Sequence, residues 1–274
     1  MKKFLKNTNK QTSRFLFGVI LILAIFSFSV INMNNKESVQ TNSSIANNKK
    51  IGWGIKRNLN NEQPDVGNQN RMILESNGGI CLGSSDSKKI YLTFDQGYEA
   101  GYTKYLLETL KNNNVNVTFF LTAHYINTNS EIVELMINEG HIIGNHTVNH
   151  KSMPDLTDEK IEAEVMNLHK VLKDKFNYEM KYIRPPMGEF SEKSLQKTKS
   201  LGYTTVMWSF AYEDWNENNQ PDEQASKEKI LNNLHNGAII LLHGNSKTNA
   251  NILDGVIKEA KNLGYEFKSL NEFE

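Results

Sequence analysis

Chemically capable side chains recur along the last two-thirds of this 274-residue chain, each close to the end of an apolar, strand-like run. They are Asp95, His146 with His150, Arg184, Asp214 with Trp215, and His243. The run Ile90–Phe94 ends abruptly in Asp95 and Gln96, as when a buried parallel strand delivers a carboxylate to the edge of a sheet or barrel. An acid at one strand end and a histidine pair after another indicate a metal-assisted hydrolase.

His146 and His150 have the spacing of metal ligands. On a helical turn, two residues four positions apart share one face, so both imidazoles could bind one divalent ion. Two imidazoles are too few for tight binding, and the third ligand is normally a carboxylate, with one position left for water. The pair therefore predicts one divalent metal ion. Histidine and oxygen ligands suit zinc, and manganese, cobalt or iron would also be tolerated.

The remaining groups are candidates for acid–base chemistry. His243 ends the apolar run that begins at Ala238, where a positioned histidine could protonate a leaving amine, and Asp214 could raise its pKa. Arg184 precedes two prolines that keep the backbone extended, so it could pair with Asp95 and keep that carboxylate ionised. Each residue alone also fits a structural role, as a core-edge histidine, a loop acid or a surface arginine. Their shared position at strand ends favours the catalytic interpretation.

Strand-like and helix-like runs alternate from Lys89 onward. The strand-like runs are Ile90–Asp95, Val117–Leu121, His141–Asn145, Tyr182–Arg184, Thr204–Trp208, Ala238–His243 and Tyr265–Ser269. The helix-like runs are Tyr102–Asn112, Ser130–Asn138, Asp158–Lys175, Ser191–Ser200, Asp222–Leu234 and Ile252–Asn262. This alternation predicts an α/β fold, a distorted (β/α) barrel with about seven parallel strands, in which the strand ends share one face. No glycine-rich phosphate motif follows the first strand, which argues against nucleotide binding.

The chain divides into four predicted segments. Basic residues before an apolar run predict that residues 1–31 are a signal peptide or a membrane anchor, so that the remainder works outside the cytoplasm. Residues 32–50 read as a disordered spacer, 51–88 as an N-terminal extension packed on the barrel, and 89–274 as the barrel domain. A net charge of zero argues against a nucleic-acid partner. The single cysteine, Cys81, excludes an intramolecular disulfide and a thiolate metal site.

Five motifs in this order resemble those of the polysaccharide deacetylases, the NodB-homology carbohydrate esterases. They are T-F-D-x-G at Thr93–Gly97, H-T-x-x-H at His146–His150, R-P-P-x-G at Arg184–Gly188, D-W at Asp214-Trp215 and L-L-H at Leu241–His243. The longer string Tyr91–Thr103 and the Trp53-Gly54 segment are similar to the peptidoglycan N-acetylmuramic acid deacetylases, which start muramic δ-lactam synthesis in spore cortex.

The resemblance implies metal-dependent removal of an N-acetyl group from a peptidoglycan glycan strand by the barrel domain. The implied metal ligands are His146, His150 and Gln96. The implied catalytic residues are Asp95 as base, Arg184 to orient it, His243 as acid and Asp214 to tune that acid. The backbone N–H of Met187 would stabilise the oxyanion, and Trp215 and Leu241 would form the wall around the acetyl methyl group.

Gln96 departs from the family pattern, because most members have a second aspartate there and the muramic-acid subgroup has asparagine. A neutral amide oxygen predicts weaker metal binding. Two alternatives stay open, the same chemistry on N-acetylglucosamine in peptidoglycan or a chitin-like polymer, and a non-catalytic glycan-binding relative. A glycosidase needs only two carboxylates and leaves the histidine pair without a role, so it ranks lowest.

Overall fold

The computed structural model describes residues 46–58 and 61–274. In chain order the strands are β1 (Ile51–Gly52), β2 (Lys89–Gln96), β3 (Thr118–Leu121), β4 (Ile142–Asn145), β5 (Tyr182–Ile183), β6 (Glu189–Phe190), β7 (Thr204–Thr205), β8 (Ala238–His243) and β9 (Glu266–Phe267). The helices are α1 (Asn68–Ser76), α2 (Thr103–Asn112), α3 (Ala123–Thr128), α4 (Ser130–Asn138), α5 (Asp158–Phe176), α6 (Glu192–Ser200), α7 (Glu223–Leu231) and α8 (Lys247–Asn262). Short 3₁₀ turns occupy Met153–Asp155, Pro186–Gly188 and Leu270–Glu272.

Seven parallel strands form one curled sheet in the order β7–β5–β4–β3–β2–β8, with β9 paired to the start of β2. Past β7, Phe210 forms a parallel bridge with Ile240 of β8, which brings the two ends of the sheet towards each other. The predicted distorted (β/α) barrel of seven parallel strands is confirmed. Because all the strands run in the same direction, their carboxyl ends lie along one edge.

Alternation along β2 divides its side chains between the two faces of the sheet. Ile90 and Phe94 belong to the large apolar core that includes residues of the helices, whereas Tyr91 belongs to a smaller cluster with residues of β3, β4 and β8. Asp95 continues the series of Tyr91, and Gln96 continues the series of Phe94. The two polar residues at the end of β2 therefore leave the strand from opposite faces.

The N-terminal extension packs on the barrel through an apolar cluster that the sequence analysis did not resolve. Trp53 lies in this cluster with Leu74 of α1 and Phe190 of β6. Its backbone N–H donates to Gly188 O at 2.9 Å, and its indole Nε1 donates to Trp208 O at 2.8 Å. The short β1 also pairs antiparallel with β6. The extension thus contacts the loop that carries the R-P-P-x-G motif.

Several predicted boundaries move in the structure, among them the start of α8, which lies at Lys247 and not at Ile252. Strand β7 ends at Thr205, not at Trp208, and directly after it Val206 forms a parallel bridge with Ile80 of the extension, whose carbonyl accepts from Met207 N at 2.8 Å. Residues 46–50, at the end of the predicted spacer 32–50, contact the domain. Asn48 Nδ2 donates to Pro154 O at 3.1 Å, and Asn48 Oδ1 accepts from Ser191 Oγ at 2.8 Å.

The predicted signal peptide or membrane anchor, residues 1–31, lies outside the described residues, as does most of the predicted spacer. Within the ranges that the structure describes, no helix has the length and apolar character needed to cross a membrane.

Replacing Trp53 with alanine tests how strongly the extension stabilises the barrel. We expect the free energy of unfolding to fall by about 3–5 kcal/mol, because the change empties an indole site and leaves the Trp208 carbonyl without its donor. Thermal and denaturant unfolding measure the effect. Met72→Ala in α1 is the control, since Met72 is 63% exposed. Equal stability of the Trp53 variant and the wild type would contradict the prediction.

Candidate active site

A cavity of about 960 Å³ lies at the carboxyl edge of the sheet and gathers the predicted site residues. Eight of them line it directly: Asp95, Gln96, His146, His150, Met187, Trp215, Leu241 and His243. Arg184 and Asp214 do not line the cavity but are fully buried and contact residues that do. The structure thus brings together predicted residues from strand ends that are distant along the chain.

Asp95 is held by a buried ion pair at the end of β2. Its Oδ1 lies 2.8 Å from Arg184 Nη1, and Arg184 Nε donates to Val206 O at 3.1 Å. The guanidinium also lies over the Phe120 ring, 4.3 Å from the ring centroid. Burial has the largest single effect and raises the pKa of Asp95, but the charge and hydrogen bond of Arg184 together with the charges of His146 and His243 outweigh burial and hold the pKa below its usual value. Asp95 is therefore an ionised carboxylate inside the cavity.

His146 presents a bare nitrogen to this carboxylate. Its Nδ1 lies 2.9 Å from Arg184 O, and because a carbonyl only accepts, Nδ1 carries the proton. Burial lowers the pKa of His146 to about 4, so the ring is neutral at pH 7. The unprotonated Nε2 therefore lies 3.6 Å from Asp95 Oδ2. Two acceptors that face each other without a proton between them suit a bound cation.

The loop that carries His146 and His150 is not the helical turn that the spacing suggested. Thr147 and His150 have left-handed backbones, with φ of 67° and 54°. The two imidazole rings are nevertheless 4.8 Å apart, measured between centroids. Loop geometry brings the two rings together, so the helical argument for their common face was wrong although the rings are neighbours.

A buried glutamate that the sequence analysis missed stabilises this loop. Glu164 of α5 accepts from the backbone N–H of Asn149 at 2.7 Å and from its side-chain amide at 2.6 Å. The backbone carbonyl of Glu164 accepts from Val148 N at 3.1 Å. Nothing in the local sequence distinguishes Glu164 from the exposed acids of α5, because its role depends on a loop that folds back over the helix.

Gln96, the expected third ligand, has a hydrogen-bond partner for its amide nitrogen but not for its amide oxygen. Its Nε2 donates to Thr103 Oγ1 at 2.8 Å, whereas its Oε1 is buried without a hydrogen-bond partner among the described residues. The amide fits only because position 244 is glycine, since a Cβ there would lie 2.1 Å from Gln96 Nε2. A buried oxygen that accepts no hydrogen bond lowers the stability of the fold unless a ligand binds to it.

These donors fit a divalent ion of modest affinity. The described part of the chain contains no group of three or more His, Cys, Asp or Glu side chains arranged to hold a metal. A metal ion held by His146 and His150 would have to take a further protein ligand of another type, and the unpartnered amide oxygen of Gln96 is a candidate for it. That donor set carries less negative charge than two histidines and an aspartate, in line with the weaker binding expected from the sequence.

His243 and Asp214 form a second pair beside the first, because His243 is the register partner of Asp95 on the neighbouring strand β8. Asp214 Oδ1 lies 2.7 Å from His243 Nδ1, and its Oδ2 accepts from His243 N at 2.9 Å. Asn249, another residue that the sequence analysis missed, donates to Asp214 Oδ2 at 2.6 Å. Burial lowers the pKa of His243, but the hydrogen bond and charge of Asp214 outweigh burial and raise it. The imidazole is therefore poised to hold a proton.

Three residues expected at the substrate surround this centre. Met187 has a left-handed backbone, with φ of 59°, in the rigid turn after the two prolines. Trp215 is 51% exposed, and its ring centroid lies 5.6 Å from that of His243. Leu241 is buried in β8 and lines the cavity. A small apolar wall thus borders the polar groups.

Several cavity residues were not predicted. Tyr98 and Asn245 lie at the rim, where Asn245 Nδ2 donates to Tyr98 OH at 2.6 Å and to Trp215 O at 3.0 Å. His124, to which the sequence analysis assigned no chemistry, also lines the cavity. Tyr98 follows the T-F-D-x-G motif directly, so its place at the rim was accessible from the motif. The position of Asn245 depends on the loop after β8.

Known proteins are similar to this chain in sequence and in fold. The chain matches the polysaccharide deacetylase family over residues 83–206. It is 42% identical to the peptidoglycan-N-acetylmuramic acid deacetylase PdaA of Bacillus subtilis, over 82% of this chain and 86% of that protein. A peptidoglycan-N-acetylglucosamine deacetylase of Bacillus cereus is 31% identical over 74% of this chain and 96% of the relative.

Solved structures agree with these matches. The structure of Bacillus subtilis PdaA, described as a family 4 carbohydrate esterase, superposes with a TM-score of 0.81 at 40% identity and covers 83% of this chain and 97% of that one. A family 4 carbohydrate esterase from Bacillus anthracis gives a TM-score of 0.71 at 39% identity, with the same coverage.

Replacing Asp214 with asparagine tests the tuning of His243. We expect the pKa of His243 to lie above its ordinary value of 6.5 in the wild type and to fall in the variant. The reason is that the carboxylate charge is lost while burial, which favours the neutral ring, remains. NMR titration of the imidazole measures both values. Asp174→Asn, at an exposed ion pair with Lys170, is the control. A pKa that does not change in the Asp214 variant would contradict the assignment.

Proposed function

The chain belongs to the polysaccharide deacetylase family, and from this premise we propose that it removes the N-acetyl group of N-acetylmuramic acid in peptidoglycan. The proposed reaction is hydrolysis of an amide, which yields acetate and a free sugar amine. The observation that carries the proposal is that an ionised base and an acid with a raised pKa lie next to each other at one cavity, Asp95 paired with Arg184 and His243 paired with Asp214.

The family is metal-dependent in general, and we propose zinc here, with manganese, cobalt or iron as alternatives. His146, His150 and Gln96 would hold the ion. When bound, it would polarise the attacking water and the acetyl carbonyl. The neutral state of His146 at pH 7 supports this assignment, because only an unprotonated imidazole can be a ligand.

The attacking side of the reaction depends on Asp95. Its carboxylate accepts a proton from the water as the oxygen adds to the acetyl carbon, and Arg184 fixes its orientation through the 2.8 Å contact. The carbonyl oxygen becomes an oxyanion, which the backbone N–H of Met187 would stabilise by a hydrogen bond. Trp215 and Leu241 would enclose the acetyl methyl group and exclude water from it.

The leaving side depends on His243. Its protonated imidazole donates a proton to the sugar nitrogen as the carbon–nitrogen bond breaks. Asp214 keeps the ring protonated and directs its other nitrogen into the cavity, because Nδ1 is occupied by the carboxylate. Arg184 keeps Asp95 ionised, so the base and the acid are in their active protonation states at the same pH.

The substrate assignment is supported by the higher identity to the muramic acid enzyme than to the N-acetylglucosamine enzyme, 42% against 31%. On this assignment the partner is a peptidoglycan glycan strand, and the product feeds muramic δ-lactam formation in spore cortex. We propose that the enzyme works outside the cytoplasm, either secreted or held at the membrane by residues 1–31 alone. The basic residues before the apolar run of that segment support this location.

Acetate release from purified peptidoglycan by the full chain tests the proposal. We expect the wild type to release acetate, and His146→Ala to reduce the rate by about 10³-fold or more, because a ligand to the ion is lost. Chelation should abolish release, and added zinc should restore it. His169→Gln is the matched control, since His169 does not line the cavity.

Sugar analysis of the products identifies the substrate. Deacetylated muramic acid supports the proposal, whereas glucosamine as the product would keep the chemistry and refute the muramic acid assignment. Strands with and without stem peptides are compared. Absence of release from both, with glycan binding retained, would contradict the enzymatic function and favour the non-catalytic relative.

A further inference from the structure

Glu99 accepts four hydrogen bonds beside the active site and has no role in the chemistry above. Its Oε1 accepts from Gly101 N at 2.7 Å and from Thr103 N at 3.2 Å. Its Oε2 accepts from Tyr125 OH at 2.6 Å and from the Thr103 hydroxyl. A glutamate exposed to water would be solvated without four protein hydrogen-bond donors. These bonds hold the carboxylate in one position against the start of α2.

Glu99 determines which groups donate and which accept in the hydrogen bonds that connect it through Thr103 to Gln96. A carboxylate only accepts, so the Thr103 hydroxyl must donate its single proton to Glu99. The Thr103 oxygen can then only accept from Gln96, which requires the NH₂ group of the Gln96 amide to face it, at 2.8 Å. Thr103 and Tyr125 are both fully buried, so water does not compete for these positions.

We propose that Glu99 is a positioning residue that fixes, through Thr103, the orientation of the Gln96 amide and so presents its oxygen to the metal site. The inference rests on the proposed function, which supplies the ion. The opposite orientation of the amide would place its oxygen against Thr103, whose proton is already donated, and its NH₂ group towards the ion. The buried Oε1 without a partner is the atom that this arrangement leaves for a ligand.

The same arrangement explains why an amide suits position 96 in this chain. An aspartate there would need a proton from Thr103, which donates to Glu99, and it would place a second negative charge close to the Glu99 carboxylate. Glu99 and the identity of residue 96 are therefore coupled. Gly244 supports the amide from the other side, since only a residue without a Cβ leaves room for it.

Co²⁺ binding by the full chain, measured by calorimetry and by the visible absorption of the ion, tests the proposal. We expect Thr103→Val and Glu99→Gln each to raise the Kd for Co²⁺ about 10–100-fold, which is the usual effect of losing a group that orients a metal ligand. Thr103→Ser keeps the hydroxyl and should bind as the wild type does. Glu162→Gln, at an exposed ion pair with Lys197, is the control for loss of a carboxylate. Thermal unfolding identifies any variant that fails to fold.

Unchanged Kd values in both the Thr103→Val and Glu99→Gln variants would overturn the proposal, as would absence of Co²⁺ binding by the wild type.

A second experiment tests the coupling between Glu99 and residue 96. Gln96→Asp should tighten Co²⁺ binding more in the Glu99→Gln background than in the wild-type background, and equal tightening would contradict it. Acetate release by the wild type is measured separately. Release combined with unchanged Kd values refutes the positioning role alone, and Kd values that depend on Glu99 without release refute the function alone.

Discussion

The buried ion pair between Asp95 and Arg184 is the contact on which the rest of the site depends. It joins the end of β2 to the loop after β5, two strands that are not neighbours in the sheet. Removing one partner would leave an unpaired buried charge, which costs about 3–5 kcal/mol in proteins. The backbone carbonyl of Arg184 also accepts from His146, so the same residue positions the base and one proposed ligand.

The site contains two neighbouring pairs with opposite electrostatic effects. In one a buried cation helps to keep a carboxylate ionised, and in the other a buried carboxylate raises the pKa of an imidazole. Each partner lies behind the residue that it tunes, away from the cavity. Between them His146 is neutral because burial outweighs the nearby carboxylate. The arrangement provides a base, an acid and an unprotonated nitrogen at one pH, as amide hydrolysis requires.

The amide at position 96 fits the same logic. In this chain the residue after Asp95 is a neutral amide that is hydrogen-bonded to Thr103, and a glycine at position 244 leaves room for it. Its oxygen has no protein donor among the described residues. The local environment is thus suited to an amide, and the affinity for an ion depends on the residues that hold that amide in place.

The family resemblance added Gln96, Met187 and Leu241 to the candidates. The sequence patterns by themselves determined the barrel, the acids, histidines and arginine at the strand ends, and the edge on which they meet. These depend on local patterns: the apolar run Ile90–Phe94 specifies a strand, and parallel strands share a carboxyl edge wherever they pair. Only the tertiary structure determined which other residues hold these candidates in position. Glu164 and Asn249 contact loops that are distant along the chain, and Ile80 of the extension pairs with Val206 just after β7. The orientation of the Gln96 amide depends on Thr103 and Glu99, because the direction of a hydrogen bond is set by neighbours in space and not by spacing along the sequence.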